Sequence, residues 1–203
     1  MKKNQSALII KRFLSPTNES NAYVLINDDI AVVIDPADAS HDISNMLDEQ
    51  GLDLKYLLVT HGHRSHIQSL PILKESFGGT LCLHELDSDL LKESIDTLEP
   101  DLLVKDNATL TLNDTVIKIL HTPGHTPGSL CFYVKKDRVL FSGDTLLKGE
   151  FGRIWGPHSM GLMLRSLKRL NIVIHPKTTV YPGHGSFTIM SDEAWLDTLD
   201  NLS

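Results

Sequence analysis

Three short histidine motifs lie far apart in this chain, and a fold that uses them together must bring residues 61 and 184 to one place. The motifs are Thr60-His61-Gly62-His63-Arg64-Ser65-His66, Thr122-Pro-Gly-His125-Thr-Pro-Gly-Ser129 and Tyr181-Pro-Gly-His184-Gly185. A fourth segment, Ser142-Gly-Asp144-Thr145, adds a carboxylate. Imidazoles grouped with one aspartate hold zinc or iron while leaving a coordination position open for chemistry. Each motif follows a β-type run and lies at its C-terminal end, where loops on an α/β scaffold present functional groups.

The patterning around the motifs is mixed α and β. Ala7 to Phe13 reads as a strand. Ala22 to Ile26 and Ile30 to Ile34 flank Asn27-Asp28-Asp29, the pattern of a hairpin. His41 to Gln50 has helical spacing with Gly51 as its stop. Tyr56 to Thr60 is an apolar strand running into His61. Ile67 to Phe77 and Glu85 to Leu98 read as helices around a strand at Thr80 to Leu83. Val116 to Leu120 leads into the His125 loop, and Leu130 to Val134 with Arg138 to Ser142 forms a second hairpin. Met160 to Leu170 reads as a helix, Thr179 to Tyr181 as a strand, and Asp192 to Leu202 as a helix capped by Ser191. Tyr23…Asp35 and Tyr133…Asp144 are similar strand-turn-strand-Asp units, which points to an internally duplicated β-rich sandwich. No linker or low-complexity tract interrupts the pattern, so residues 1–203 are expected to form a single domain.

Composition excludes several roles. The chain has 203 residues, 41% of them hydrophobic, enough for a core. Its formal charge is −7 with no block of Lys or Arg, which disfavours nucleic-acid and anionic-membrane partners. The apolar runs are too short to span a bilayer. The Met1-Lys2-Lys3 start resembles a secretory leader, but the apolar stretch after it is Ala7 to Ile10 alone, so the expected setting is cytoplasmic. Cys82 and Cys131 sit in strand-like runs and read as buried free thiols.

Taken from the residues alone, His61-x-His63 can put two imidazoles on one ion, with Gly62 allowing a tight turn. His125, in its Pro-Gly frame, completes a three-histidine site with Asp144 nearby. His66 and His184 form a second cluster that shares Asp144 as a bridge.

These motifs resemble those of the metallo-β-lactamase-fold hydrolases, nearest to the glyoxalase II-like (hydroxyacylglutathione hydrolase) branch. The matching stretches occur in the family's order: Thr60-His-Gly-His63…His66, His121-Thr-Pro-Gly-His125-Thr-Pro-Gly-Ser129, Phe141-Ser-Gly-Asp-Thr145, Gly152-Arg153 and Pro182-Gly-His184-Gly185. The resemblance implies an α/β fold, a four-layer αβ/βα sandwich with metals at one edge. It implies one metal on His61, His63 and His125, and a second on residue 65, His66 and His184, with Asp144 bridging. It further implies zinc, one or two ions, with iron as another choice, and a small-molecule thioester or ester as substrate. Asp144 and His66 are the expected catalytic residues, and Arg153 and Trp155 the expected substrate-binding residues. With the sequence ending soon after Gly185, the C-terminal helical domain of the larger glyoxalase II enzymes is not expected. Gly185-Ser186-Phe187 also stands where those relatives place a tyrosine.

One position departs from the family pattern His-x-His-x-Asp-His: Ser65 replaces the acid. Two divalent metals with two carboxylates and one hydroxide carry about +1, and loss of one carboxylate raises this to about +2. A single metal with Asp144 and hydroxide carries about 0. The first site is therefore expected to fill and the second to be weak. Two alternatives stay open: a mononuclear iron persulfide dioxygenase, and a non-catalytic descendant that binds metal or ligand without turnover. His84 and His121 read as structural or supporting histidines, and His41, His158 and His175 as loop or helix-end residues. Asp35, ending the first hairpin, reads as structural. Arg64 either points to solvent or fills part of the vacated second site.

Overall fold

Side-chain alternation decides which face each strand presents. In β2 (Asn21–Asn27), Ala22, Val24 and Ile26 enter one apolar cluster while Tyr23 and Leu25 enter another, and every residue of the strand is buried. An apolar strand covered on both faces belongs inside a stack of layers. The computed structural model, which describes residues 7–202, has that architecture; the Met1-Lys2-Lys3 start lies outside the described residues.

Two six-stranded sheets each follow chain order. The first runs β1 (Ile9–Leu14), β2, β3 (Ile30–Ile34), β4 (Asp53–Leu58), β5 (Thr80–His84) and β6 (Leu102–Val104). The second runs β7 (Thr109–Leu112), β8 (Thr115–His121), β9 (Leu130–Val134), β10 (Val139–Gly143), β11 (Thr179–Pro182) and β12 (Thr188–Ile189). The β2–β3 and β9–β10 pairs are antiparallel hairpins, each followed by a parallel neighbour, β4 and β11. The expected resemblance between the two halves is thus present in strand pairing.

Helices α1 (Ser40–Gln50) and α3 (Leu70–Phe77) place Ile43, Leu47, Leu70 and Leu73 on Ala22, Val24, Val33, Leu57 and Leu81 of the first sheet. Between the sheets, Tyr23, Leu25, Ile34 and Leu58 meet Ile117, Ile119, Phe132 and Phe141. On the far side, Met163, Leu167 and Leu170 of α5 (Pro157–Val173) cover Leu120, Tyr133, Leu140 and Val180. The layers are therefore α, β, β, α, the sandwich expected. Parallel pairing aligns the C-terminal ends of β3, β4 and β5, and those of β10 and β11. That alignment gathers the motif loops.

Several boundaries differ from the sequence reading. The helix expected over Ile67 to Phe77 is two helices, α2 (Arg64–Ile67) and α3, so Ser65 and His66 are helical. Pro71 explains the restart, since a proline without an N–H is tolerated in a first turn and not in a helix interior. The segment after β5 makes one 3-10 turn at Glu85–Asp87 and a shorter helix, α4 (Ser88–Ser94). The C-terminal segment is 3-10 helix at Met190–Asp192 and Ala194–Leu202. Ser191 Oγ donates to Asp192 Oδ1 and does not cap a helix. The short strands β6 and β7 were not expected; β6 carries no clear sequence signal, while β7 alternates Thr-Leu-Thr-Leu with its leucines buried.

Candidate metal centre

Four loops meet at one edge of the sandwich. His61 and His63 follow β4, His66 lies in α2, His125 follows β8, Asp144 follows β10 and His184 follows β11. Ligand-capable atoms of His61, His63 and His125 lie within 4.8 Å of one another, and so do those of His66, Asp144 and His184. Asp144 joins the two groups: its Oδ2 is 3.4 Å from His125 Nε2 and 3.6 Å from His184 Nε2, and its Oδ1 is 3.6 Å from His66 Nε2.

The hydrogen bonds behind the rings set which nitrogen faces inward. His125 Nδ1 lies 2.9 Å from the Arg153 carbonyl, which can only accept, so the ring proton sits on Nδ1 and the Nε2 lone pair points to the centre. Thr60 Oγ1 donates to Asp35 and lies 3.0 Å from His61 Nδ1, so it accepts the His61 proton and leaves Nε2 inward. Asp35, read as structural from sequence, thus belongs to the site. Its carboxylate also accepts the Thr60 amide and lies 3.3 Å from His66 Nδ1. Committed to the two Thr60 donors, it supports the His61 ring from behind through Thr60 and faces the back of the His66 ring.

The inward atoms fit a metal. Among the described residues, His61 Nε2, His66 Nε2 and Asp144 Oδ1 are buried without any hydrogen-bond partner. Unpartnered buried polar atoms are costly and rare in folded proteins. His63 Nδ1 and His125 Nε2 are 2.9 Å apart. Two imidazole nitrogens that close need a proton or a cation between them, and two nitrogens on one tetrahedral zinc are about 3.3 Å apart. Burial and then the neighbouring histidines hold the His61 pKa well below its ordinary value, and burial followed by His125 lowers that of His63. Burial opposes the charged form of His66 most strongly, but Asp144 and Asp35 outweigh it and raise the pKa. His61 and His63 are thereby held toward the neutral form, the form in which imidazole binds a metal.

The remaining candidates separate. Arg64 Nη1 donates to the Ser94 carbonyl at the surface and does not fill the second group. Ser65 is half-buried, and its carbonyl accepts from Asn18 Nδ2. His84 and His121 stack on each other with ring centroids 4.1 Å apart, in neither ligand group. Trp155 is 59% exposed and does not enter the core. The Arg153 guanidinium lies over its ring at 4.2 Å, beside the backbone that holds His125.

Residues 16–185 match the metallo-beta-lactamase superfamily, and the chain belongs to it. Hydroxyacylglutathione hydrolase GloC of Haemophilus influenzae is 30% identical over 177 residues, covering 80% of this chain and 84% of that protein. Among solved structures, the BLEG-1 B3 metallo-beta-lactamase superposes with a TM-score of 0.82 at 29% identity, covering 92% of this chain and 96% of that one. TTHA1623, solved in a di-iron-bound form, gives 0.78 at 29% identity, covering 91% and 96%. The superfamily consists mostly of metal-dependent hydrolases acting on small molecules. No helix of the described residues is long and apolar enough to cross a membrane.

Proposed function

We propose that this protein is a metal-dependent hydrolase of a small thioester or ester, with one principal metal held by His61, His63 and His125. The carrying observation is the set of buried, unpartnered His61 Nε2, His66 Nε2 and Asp144 Oδ1 atoms at the meeting point of the motif loops. The similarity to hydroxyacylglutathione hydrolase GloC supports the thioester, whose thiolate leaves without needing a proton. The second position, His66, Asp144 and His184, lacks a carboxylate at Ser65 and binds more weakly. Zinc is the metal first proposed, and the di-iron form of TTHA1623 makes iron the second choice.

A divalent metal held by His61, His63 and His125 would supply Lewis acidity and lower the pKa of a water toward neutral pH. The chain does the rest. Asp144 accepts a hydrogen bond from the attacking water and orients it, and His66 lies 3.6 Å from Asp144 Oδ1, close enough to stabilise its charge. Arg153 and Trp155 form a charged and aromatic lip for the acyl or thiol portion. Two free, buried thiols support a reducing cytoplasmic setting.

The test is elemental analysis of protein purified without added metal, followed by thiol release from a hydroxyacyl-glutathione thioester. The expected result is metal-dependent hydrolysis that His125→Ala abolishes. Metal-loaded protein that leaves thioesters and esters intact overturns the substrate assignment. Oxygen uptake with a persulfide would assign it to dioxygenase chemistry instead.

A further inference from the structure

The Asp87 carboxylate lies outside both ligand groups and is fully buried in the loop after β5. Its Oδ2 accepts the Gly62 amide at 3.0 Å and Thr126 Oγ1 at 2.7 Å, and its Oδ1 accepts the Gly128 amide at 2.6 Å. All three donors are uncharged. Gly62 is bonded to His63, and Thr126 to His125, so one carboxylate grips the chain next to two imidazoles that reach from different sheets. The nitrogens of those rings, His63 Nδ1 and His125 Nε2, are the pair 2.9 Å apart.

The sequence on both sides is shaped around this grip. A Cβ on Gly128 would stand 2.6 Å from Asp87 Oδ1, and one on Gly62 would stand 2.7 Å from Leu90 Cβ and 3.0 Å from the Asp87 carbonyl. Both positions need glycine because the loops close directly onto the start of α4. Ser129 Oγ accepts the Thr126 amide at 3.0 Å and pairs with Thr126 Oγ1 at 2.7 Å, which fixes the hydroxyl that Asp87 receives.

We propose that Asp87 is the positioning residue of the principal metal site: it clamps the His61–His63 loop to the His125 loop and so fixes the separation of His63 and His125. The assignment rests on the metal-centre reading and is independent of the substrate. An aspartate-to-asparagine change at such a post is nearly isosteric but replaces one acceptor oxygen with a donor. The amide must then face either Gly128 N–H, or Gly62 N–H and the Thr126 hydroxyl, donor against donor.

The experiment measures zinc affinity of the tight site by competition with a chromophoric chelator, and the visible absorption of the cobalt(II)-loaded protein. It compares wild type, Asp87→Asn and the milder Thr126→Val, with the melting temperature of each metal-free protein as control. Removing groups that support metal ligands typically weakens metal binding about 10–100-fold. Asp87→Asn is expected to fall in that range with an altered cobalt spectrum, and Thr126→Val to lose a few-fold at the same site. Folded variants that keep wild-type affinity and spectrum, even with a lowered melting temperature, overturn the proposal and leave Asp87 a stabilising residue only. Should Asp87→Asn fail to fold, the affinity and spectrum of Thr126→Val decide alone. Wild-type protein that takes up neither zinc nor cobalt overturns the metal centre itself, an outcome distinct from variants that match a metal-binding wild type.

Discussion

Asp35 Oδ2 stands 3.3 Å from His66 Nδ1 while also accepting the hydroxyl of Thr60, whose oxygen in turn receives His61 Nδ1. One buried carboxylate therefore orients His61 through Thr60 and places a negative charge beside the His66 ring of the other group. Asp35→Asn keeps the size and loses the charge. We expect metal affinity to drop about 10–100-fold, the range seen when groups that orient metal ligands are removed. Metal-free stability should fall by about 1.5–3 kcal/mol, the scale of a buried hydrogen bond to a charged group. Chelator competition and urea denaturation measure the two effects, and unchanged affinity would refute the orienting role.

Ser65 bears on stoichiometry. A second divalent ion at His66, Asp144 and His184 would leave the cluster with an uncompensated charge of about +2. Native protein should carry close to one metal per chain. Ser65→Asp restores the missing acid on the first turn of α2, and elemental analysis should then find close to two. A wild-type chain that already holds two tight metals would contradict the charge argument.

The Arg153–Trp155 pair makes a prediction about substrate. The indole is 59% exposed with the guanidinium stacked on it at 4.2 Å. Because only the Arg153 backbone carbonyl holds His125, truncating either side chain leaves the ligand set intact. Trp155→Ala and Arg153→Ala should raise KM several-fold while changing kcat little, the sign of lost uniform binding. A fall in kcat at unchanged KM would instead place them at the reacting atoms.

The site was more legible than its supports. A histidine after an apolar strand and a Pro-Gly frame are local signals, and His61, His63, His66, His125, Asp144 and His184 do converge. Asp35 and Asp87 were missed as site residues because each works through a partner far along the chain, 25 residues from Asp35 to Thr60 and 41 from Asp87 to Gly128. No local pattern marks such a pair. The signal available was positional: both acids lie just past strands, β3 and β5, that flank β4 in the same sheet. The strands and hairpins were read from alternation, and the four-layer sandwich from the family resemblance. Strand β6 escaped because a three-residue, mostly exposed edge strand needs little hydrophobic pattern, and β7 was passed over although Thr109-Leu110-Thr111-Leu112 alternates. The C-terminal helix was misread because apolar spacing distinguishes poorly between α and 3-10 winding.

Thiol chemistry offers a check on the packing. Burial pushes the Cys82 thiol up to about 12 and that of Cys131 to about 11. The reactive form is the thiolate, so at pH 8 only about 0.1% of a thiol with a pKa of 11 is ionised, and access is closed as well. Both cysteines should resist alkylation in native protein and react within minutes in urea. Native reactivity should rise as pH climbs toward 11. Rapid labelling of either at pH 8 would show that the region opens.

Gly183 isolates the second ligand group from the first. A Cβ there would stand 2.3 Å from Asp144 Oδ1 and 2.8 Å from His66 Cε1, so Gly183→Ala must push the bridging carboxylate or the His66 ring aside. The Gly183 backbone is meanwhile fixed on both sides, its amide donating to the Gly143 carbonyl at 2.8 Å and its carbonyl accepting the Asn21 amide at 2.7 Å. The loop cannot retreat without breaking those bonds, and overpacking of this kind costs about 1–3 kcal/mol. Hydrolysis should fall at least tenfold because Asp144 is displaced. Zinc at His61, His63 and His125 should fall less, because those three rings lie outside the predicted clash. Chelator competition and turnover on the same preparation separate the two effects: equal losses of zinc and activity would mean that Asp144 is needed to hold the principal metal, and unchanged activity would remove Asp144 from the reaction.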